Sequence, residues 1–221
     1  SIIFLATWTT FIISYVQDYN HQRANIWTRL PLHMCSINVT LYPLFFGLRK
    51  KIRPFFSSTL FAYMYFFGSA GAVLAMVVTA PSDCLGPTIH LLNYNVFTYW
   101  LKHGLIFILP ILFVILGFYQ PKLIDIVKAC VFLIGLLCIM ELVNLLFSWF
   151  NELNGGTGIC NYFYTRTGKG TAVLEQFYNF LPYELIYMFP LAIIAIPIFF
   201  IYYLPVSYTH LRAHETLMNL V

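Results

Sequence analysis

The 221-residue chain is 60% hydrophobic and 19% aromatic but only 9% charged, with a formal net charge of +4, against about 25% charged residues in an average soluble protein. That leaves too little polar surface to coat a water-soluble globule, so lipid is the expected solvent for most of the chain. The modest basic surplus speaks for membrane topology and against nucleic-acid binding.

In chain order, apolar blocks fall at Ser1–Val16, Leu30–Leu48, Phe55–Thr79, Leu91–Gly117, Ile126–Phe150 and Pro182–Leu204. A run of about 18 apolar residues or more crosses a hydrocarbon core as a helix. These blocks are apolar on every side and lack the strict alternation of barrel strands, so helices are the default. The predicted fold is all-α: a polytopic transmembrane helix bundle of about six spans, multi-pass in the cell membrane, occupying 1–205. The first block starts at Ser1 without a basic leader or a small-residue cleavage site, so a cleavable signal peptide is not expected and the chain reads as a fragment of a longer one.

Residues 206–221, VSYTHLRAHETLMNLV, break this pattern abruptly. Val206–Thr216 is the in-frame translation of a common transposon-type sequencing adapter, and the agreement resumes at Asn219–Val221 after a short variable index. The tail is therefore read as adapter read-through and not as a domain, which removes His210 and His214 as candidate ligands.

Arg49, Lys50, Lys51 and Arg53 crowd the turn after the second span, and Lys122 and Lys128 follow the fourth, whereas Ala80–Tyr99 holds no basic residue. Cytoplasmic loops are rich in Lys and Arg, so those two turns are placed inside and the loops around Asn20, Asp83 and Asn154 outside. Gly68, Gly71, Ala72 and Ala75 form a small-residue strip that lets a neighbouring helix approach closely. The long connection Asn151–Leu181, with GGTG and NYFYTRTGKG, is expected to fold over the outer face as a cap. Cys130 and Cys138 read as small buried apolar residues. Cys84 and Cys160 both fall on outer loops, where an oxidising compartment permits a disulfide between them.

Ionisable and amide side chains within spans are costly, which makes each one a functional question. His33 and Cys35 lie in the first turns of the second span and Asn38 one turn deeper; Lys102 and His103 lie in the outer half of the fourth. Glu141 and Asn144 share a face of the fifth at the same level, and Glu184 opens the sixth. Four helices thus deliver His33, Cys35, His103, Glu141, Asn144 and Glu184 to one depth, and this convergence marks the candidate catalytic set. A histidine exchanges protons near neutral pH, a carboxylate can fix its tautomer, and a cysteine beside a histidine can act as nucleophile. Glu141, deep in its span, needs a partner, for which His103 and His33 are the natural candidates. Each also has a structural alternative: the histidines can bond other helices, Cys35 can be packing, Glu184 can be an interfacial charge and Lys102 can snorkel to water.

No His-x-x-x-His, His-x-Glu or paired-cysteine motif occurs, so no metal is assigned, and with no phosphate-cradling glycine loop or Gly-x-Ser-x-Gly elbow no cofactor is assigned either. The expected partners are membrane lipids.

LPLHMC at Leu30–Cys35, FFGSAGAVLAMVVTAP at Phe66–Pro81, WLKHGLIFILPI at Trp100–Ile111, and NLLFSWFN followed by NYFY resemble the YwaF-like bacterial integral membrane proteins. The resemblance covers Arg29–Leu204. That group is distantly similar to the eukaryotic transmembrane protein 164 family, which implies a phospholipid-directed acyltransferase using a cysteine and a histidine. The histidine carries over to His103 in KHGLIFILP. The cysteine of the eukaryotic pattern falls at Leu32, with Cys35 nearly one helical turn away, so either Cys35 substitutes or the thiol chemistry is absent. Three functions follow as alternatives: acyl transfer or hydrolysis at headgroup depth, a proton-coupled carrier using Glu141, His33 and His103 as a relay, and a non-catalytic lipid-binding or sensor protein.

Overall fold

The computed structural model describes residues 26–48, 54–78 and 94–218, together with Leu5, Trp8, Thr9, Ile12 and Val16. Apart from those five positions the expected span Ser1–Val16 lies outside the described residues, as do the basic turn Arg49–Arg53 and Cys84. Among the described residues every regular element is a helix, in keeping with the predicted helical bundle.

A single turn, α1 (Ile26–Arg29), precedes Pro31, and α2 (Met34–Leu48) begins three residues after that proline. A residue before proline is pushed out of helical geometry, so the helix cannot start at Leu30 as expected from hydropathy; Leu32 N–H instead donates to the Leu30 carbonyl at 2.7 Å. The 15 residues of α2 rise about 22 Å, less than a full hydrocarbon core of about 30 Å. The second span is thus shorter than predicted, and His33 stands before the helix.

The centre of the bundle is one rod in three parts: α3 (Pro54–Tyr63), a π-helical turn (Met64–Gly68) and α4 (Ser69–Val77). Phe61 through Ser69 are all buried, as a helix apolar on every side requires. The small-residue strip works as expected, and its partner is α2: a Cβ added at Gly68 would lie 3.0 Å from Asn38 Oδ1, and one at Gly71 would lie 3.6 Å from Met34 Cε.

Three longer helices wrap this rod. On α5 (Tyr94–Ile115), the Tyr99 hydroxyl donates to the Ala75 carbonyl at 2.8 Å, while the Tyr42 hydroxyl of α2 reaches the Ile106 carbonyl at 3.0 Å. At the start of α6 (Leu123–Leu153), the buried Asp125 carboxylate accepts from the Lys122 N–H at 3.0 Å, the Tyr119 hydroxyl at 2.6 Å and Lys128 Nζ at 2.7 Å, tying the helix to its own entry turn. That bond and burial push the Tyr119 phenol far above its ordinary range. On α8 (Phe189–Met218), Phe199 packs on Phe66 and Phe67, and the Tyr202 carbonyl accepts from the Tyr65 hydroxyl at 3.1 Å. Its backbone stays helical past Val206, where composition changes.

Among the described residues four helical stretches are long and apolar enough to cross a membrane: Ser57–Val77, Val96–Ile115, Leu123–Leu153 and Ile186–Leu204. Large apolar side chains on the outer helices are open, including Leu142 at 67% and Ile193 at 71% exposure, as expected where lipid replaces water.

The connection from α6 to α8 forms the expected cap. It runs through a 3-10 turn (Tyr162–Tyr164), α7 (Ala172–Phe180) and a second 3-10 turn (Ile186–Met188). Cys160, Tyr162 and Phe163 are buried against Trp27, Leu30, Leu32 and Ile37 at the entry to α2. The Trp27 carbonyl accepts from both the Tyr162 hydroxyl (2.7 Å) and the Cys160 thiol (3.2 Å). Cys160 is thus a free, buried thiol, and burial pushes it above the usual thiol range.

Candidate active site

Cys35 sits in the first turn of α2 and His103 in the second half-turn past Tyr99 on α5, and the packing of both helices on the central rod brings them together. His103 Nε2 lies 3.0 Å from Cys35 Sγ. His103 Nδ1 lies 2.8 Å from the Tyr99 carbonyl oxygen one turn earlier on its own helix. A carbonyl can only accept, so Nδ1 carries the proton, and the neutral ring presents the Nε2 lone pair to the thiol. The Cys35 S–H donates into that lone pair. This is the geometry of a nucleophile and its general base, with the backbone as the group that fixes the tautomer. His103 is 3% exposed, and Cys35 is half-buried against the apolar core of the bundle.

The carboxylates are placed elsewhere. Glu141 Oε2 accepts from the Thr165 hydroxyl at 2.5 Å, and its Oε1 lies 3.5 Å from Arg166 Nε. Arg166 also pairs with Glu184, Nη2 to Oε2 at 3.1 Å. The expectation that a histidine would be Glu141's partner, or that Glu141 or Glu184 would orient a histidine, is therefore corrected: a cap cation and a cap hydroxyl hold Glu141, and the Tyr99 carbonyl orients His103. Glu184 does not open the last helix. It stands in a turn ahead of Ile186, with its side chain 52% exposed.

Asn144 joins the same cluster, one turn along α6 from Glu141. Its Nδ2 donates to the Tyr162 carbonyl (2.9 Å) and the Thr165 hydroxyl (2.8 Å), and its Oδ1 accepts the Tyr162 N–H (2.8 Å). With both donors and the oxygen engaged and 0% exposure, it fastens the cap to α6. His33 is exposed, its ring 5.4 Å from that of Tyr162 and 5.5 Å from that of Tyr164. The six candidates thus divide into the Cys35–His103 pair, a cap clasp of Glu141, Asn144 and Glu184, and His33 against the cap aromatics.

Reading the sequence passed over Thr165 and Arg166 as site members. Their signal was a cation and a hydroxyl in NYFYTRTGKG, a loop without periodicity, where spacing does not reveal what a side chain faces. Among the described residues no group of three His, Cys, Asp or Glu side chains is placed to hold a metal ion.

No curated protein and no solved structure matches the chain. Its sequence does match the TMEM164 family over residues 1–203, which includes both members of the Cys–His pair, the cap and the whole apolar part of the last helix. The match ends just short of Val206. This chain belongs to the TMEM164 family.

Proposed function

We propose that the protein is a phospholipid-directed acyltransferase or hydrolase, a multi-pass protein of the cell membrane in the YwaF-like bacterial branch, with Cys35 as nucleophile and His103 as general base. The observation that carries this reading is the 3.0 Å approach of His103 Nε2 to Cys35 Sγ with the opposite ring nitrogen held by the Tyr99 carbonyl. His103 takes the thiol proton as sulfur attacks an ester carbonyl; the ester C–O bond then breaks and the leaving alcohol receives that proton, leaving a thioester on Cys35. A second alcohol or water resolves the thioester. Cys35 takes the place of the family cysteine expected at Leu32, because helix α2 starts at Met34 and Leu32 belongs to the turn before it.

A proton relay through Glu141 is disfavoured, since Thr165 and Arg166 already hold that carboxylate. The test is phospholipid acyl profiling of cells expressing the wild type, Cys35→Ala or His103→Ala. The wild type is expected to alter the profile and both variants to abolish at least nine-tenths of the change. Indistinguishable profiles would refute the proposal.

A further inference from the structure

Phe180, at the end of α7, is 82% exposed, more than any other large apolar side chain among the described residues, those of the spans included. Tyr183 follows at 62% and Ile186 at 48%. Other aromatics of the cap behave differently. Tyr162, Phe163 and Tyr187 are buried, and Phe177 and Tyr178 of α7 are half-buried. A Phe and a Tyr left open beside a packed face mark a surface that something other than water covers.

Depth identifies what covers it. The Tyr178 ring meets the Tyr187 ring edge-on, with centroids 5.2 Å apart and planes at 89°. Tyr187 belongs to the first turn of Ile186–Leu204, a stretch long and apolar enough to cross a membrane. Phe180 is two positions past Tyr178, a rise of about 3 Å along a helix, so the exposed edge stands at the level where that span begins. Tight turns lead from one to the other: Leu181 N–H donates to the Phe177 carbonyl at 2.9 Å, Tyr183 N–H to that of Leu181 at 2.8 Å and Tyr187 N–H to that of Tyr183 at 3.2 Å. Charge agrees with depth. From Phe177 to Leu204 the only Asp, Glu, Lys or Arg is Glu184, and Arg166 pairs with it at 3.1 Å. The apolar run that becomes the last span therefore starts within α7, and its one charge is already matched by the cap.

We propose that the end of α7, carrying Phe180 and Tyr183, is an interfacial anchor that seats the cap in the boundary between lipid headgroups and acyl chains. Aromatic side chains are enriched at that level, where an apolar body meets hydrocarbon while a polar tip stays wet. Tyr183 has both parts, and the Glu184–Arg166 pair beside it takes the headgroup side. Cys160 and Tyr162, in the same connection, pack over the entry to α2, so the bilayer surface fixes where that cover rests. The anchor does not depend on any chemistry at Cys35 and serves a catalyst or a binding protein alike.

The experiment places the photoprobe p-benzoylphenylalanine at position 180 of the full chain, purified and reconstituted into vesicles of phosphatidylethanolamine and phosphatidylglycerol. The native ring is 82% exposed, so the replacement disturbs little packing. The same photoprobe at Ile193, 71% exposed on the last span, reports lipid contact within the bilayer. After irradiation, mass spectrometry of the peptide carrying residue 180 is expected to show phospholipid adducts in a yield comparable to that at 193. Fragmentation is expected to place the link near the glycerol or upper acyl chain at 180 and deeper along the chain at 193. Lipid adducts at 193 with none at 180 overturn the proposal, since the edge then faces water. A covalent dimer through 180 also overturns it and gives this face to a second copy of the chain. Should the photoprobe variant fail to fold, Phe180→Asp combined with Tyr183→Asp changes two open positions: a charged edge leaves the bilayer, and protease cleavage of the cap in vesicles is expected to rise several-fold. An unchanged cleavage rate overturns the proposal.

Discussion

Asn144 makes three hydrogen bonds from a site of 0% exposure. Asn144→Leu removes one partner from each, leaving the Tyr162 N–H without its acceptor in an apolar setting and the Tyr162 carbonyl with the long bond from the Thr165 N–H at 3.5 Å. The expected cost is about 3 kcal/mol or more, above the range for a surface change, read as a fall in the thermal midpoint of the detergent-solubilised protein. A shift within error would mean that water reaches this corner. Depth counting along the sequence groups Asn144 and Glu141 with the histidines, but the partners of Glu141 are Thr165 and Arg166. Helical periodicity predicts which residues share a face; it carries no information on a side chain that returns from an irregular loop, as those of Thr165 and Arg166 do. Cys35 and His103 were legible for the opposite reason, since both lie in helices whose depth and direction follow from hydropathy and loop charge.

At the scale of elements, the cap is held by backbone geometry as much as by side chains. Phe163, Tyr164 and Leu185 adopt positive φ, a region that costs a residue with a side chain free energy and persists only where surroundings enforce it. Leu185 N–H donates to the Thr165 carbonyl at 2.6 Å, and the Tyr187 hydroxyl donates to the Tyr164 carbonyl, so the strained residues are stitched across the cap. Gly168 has no room for a side chain: a Cβ there would lie 2.4 Å from the Leu174 carbonyl oxygen, a backbone atom that cannot swing aside. Gly168→Ala is therefore expected to loosen the start of α7 at a cost of about 2 kcal/mol and to raise protease cleavage within residues 154–186 several-fold, with α6 unaffected. Equal protection in wild type and variant would count against a tightly folded cap. The cap's existence could be anticipated from its length and its aromatic and glycine content, but its φ values could not, because Phe, Tyr and Leu are not the residues from which left-handed geometry is expected.

For the whole molecule, the division of labour among helices is the main result. The rod Ser57–Val77 has 56% of its apolar window buried, whereas the outer spans Val96–Ile115 and Ile186–Leu204 have 17% and 12%. Hydropathy treats all of these alike, so it located the spans without ranking them; which helix lies inside is decided by the small residues at Gly68 and Gly71 and by the aromatics at Phe61–Phe67. The open apolar surface of the outer helices predicts behaviour in bulk: the protein is expected to stay in the membrane pellet after an alkaline carbonate wash and to leave it only with detergent. Release by carbonate alone would contradict a spanning bundle.

The double acceptance at the Trp27 carbonyl has a consequence for the order of assembly. Its donors, Tyr162 and Cys160, follow it by 135 and 133 positions, whereas Cys35 and His103 are separated by 68. During synthesis Cys35 and His103 can therefore meet once α5 has inserted, well before the segment that shelters the entry to α2 has left the ribosome. The nascent protein passes through an interval in which the entry to α2 is formed but unsheltered, and the last third of the chain ends that interval when it docks.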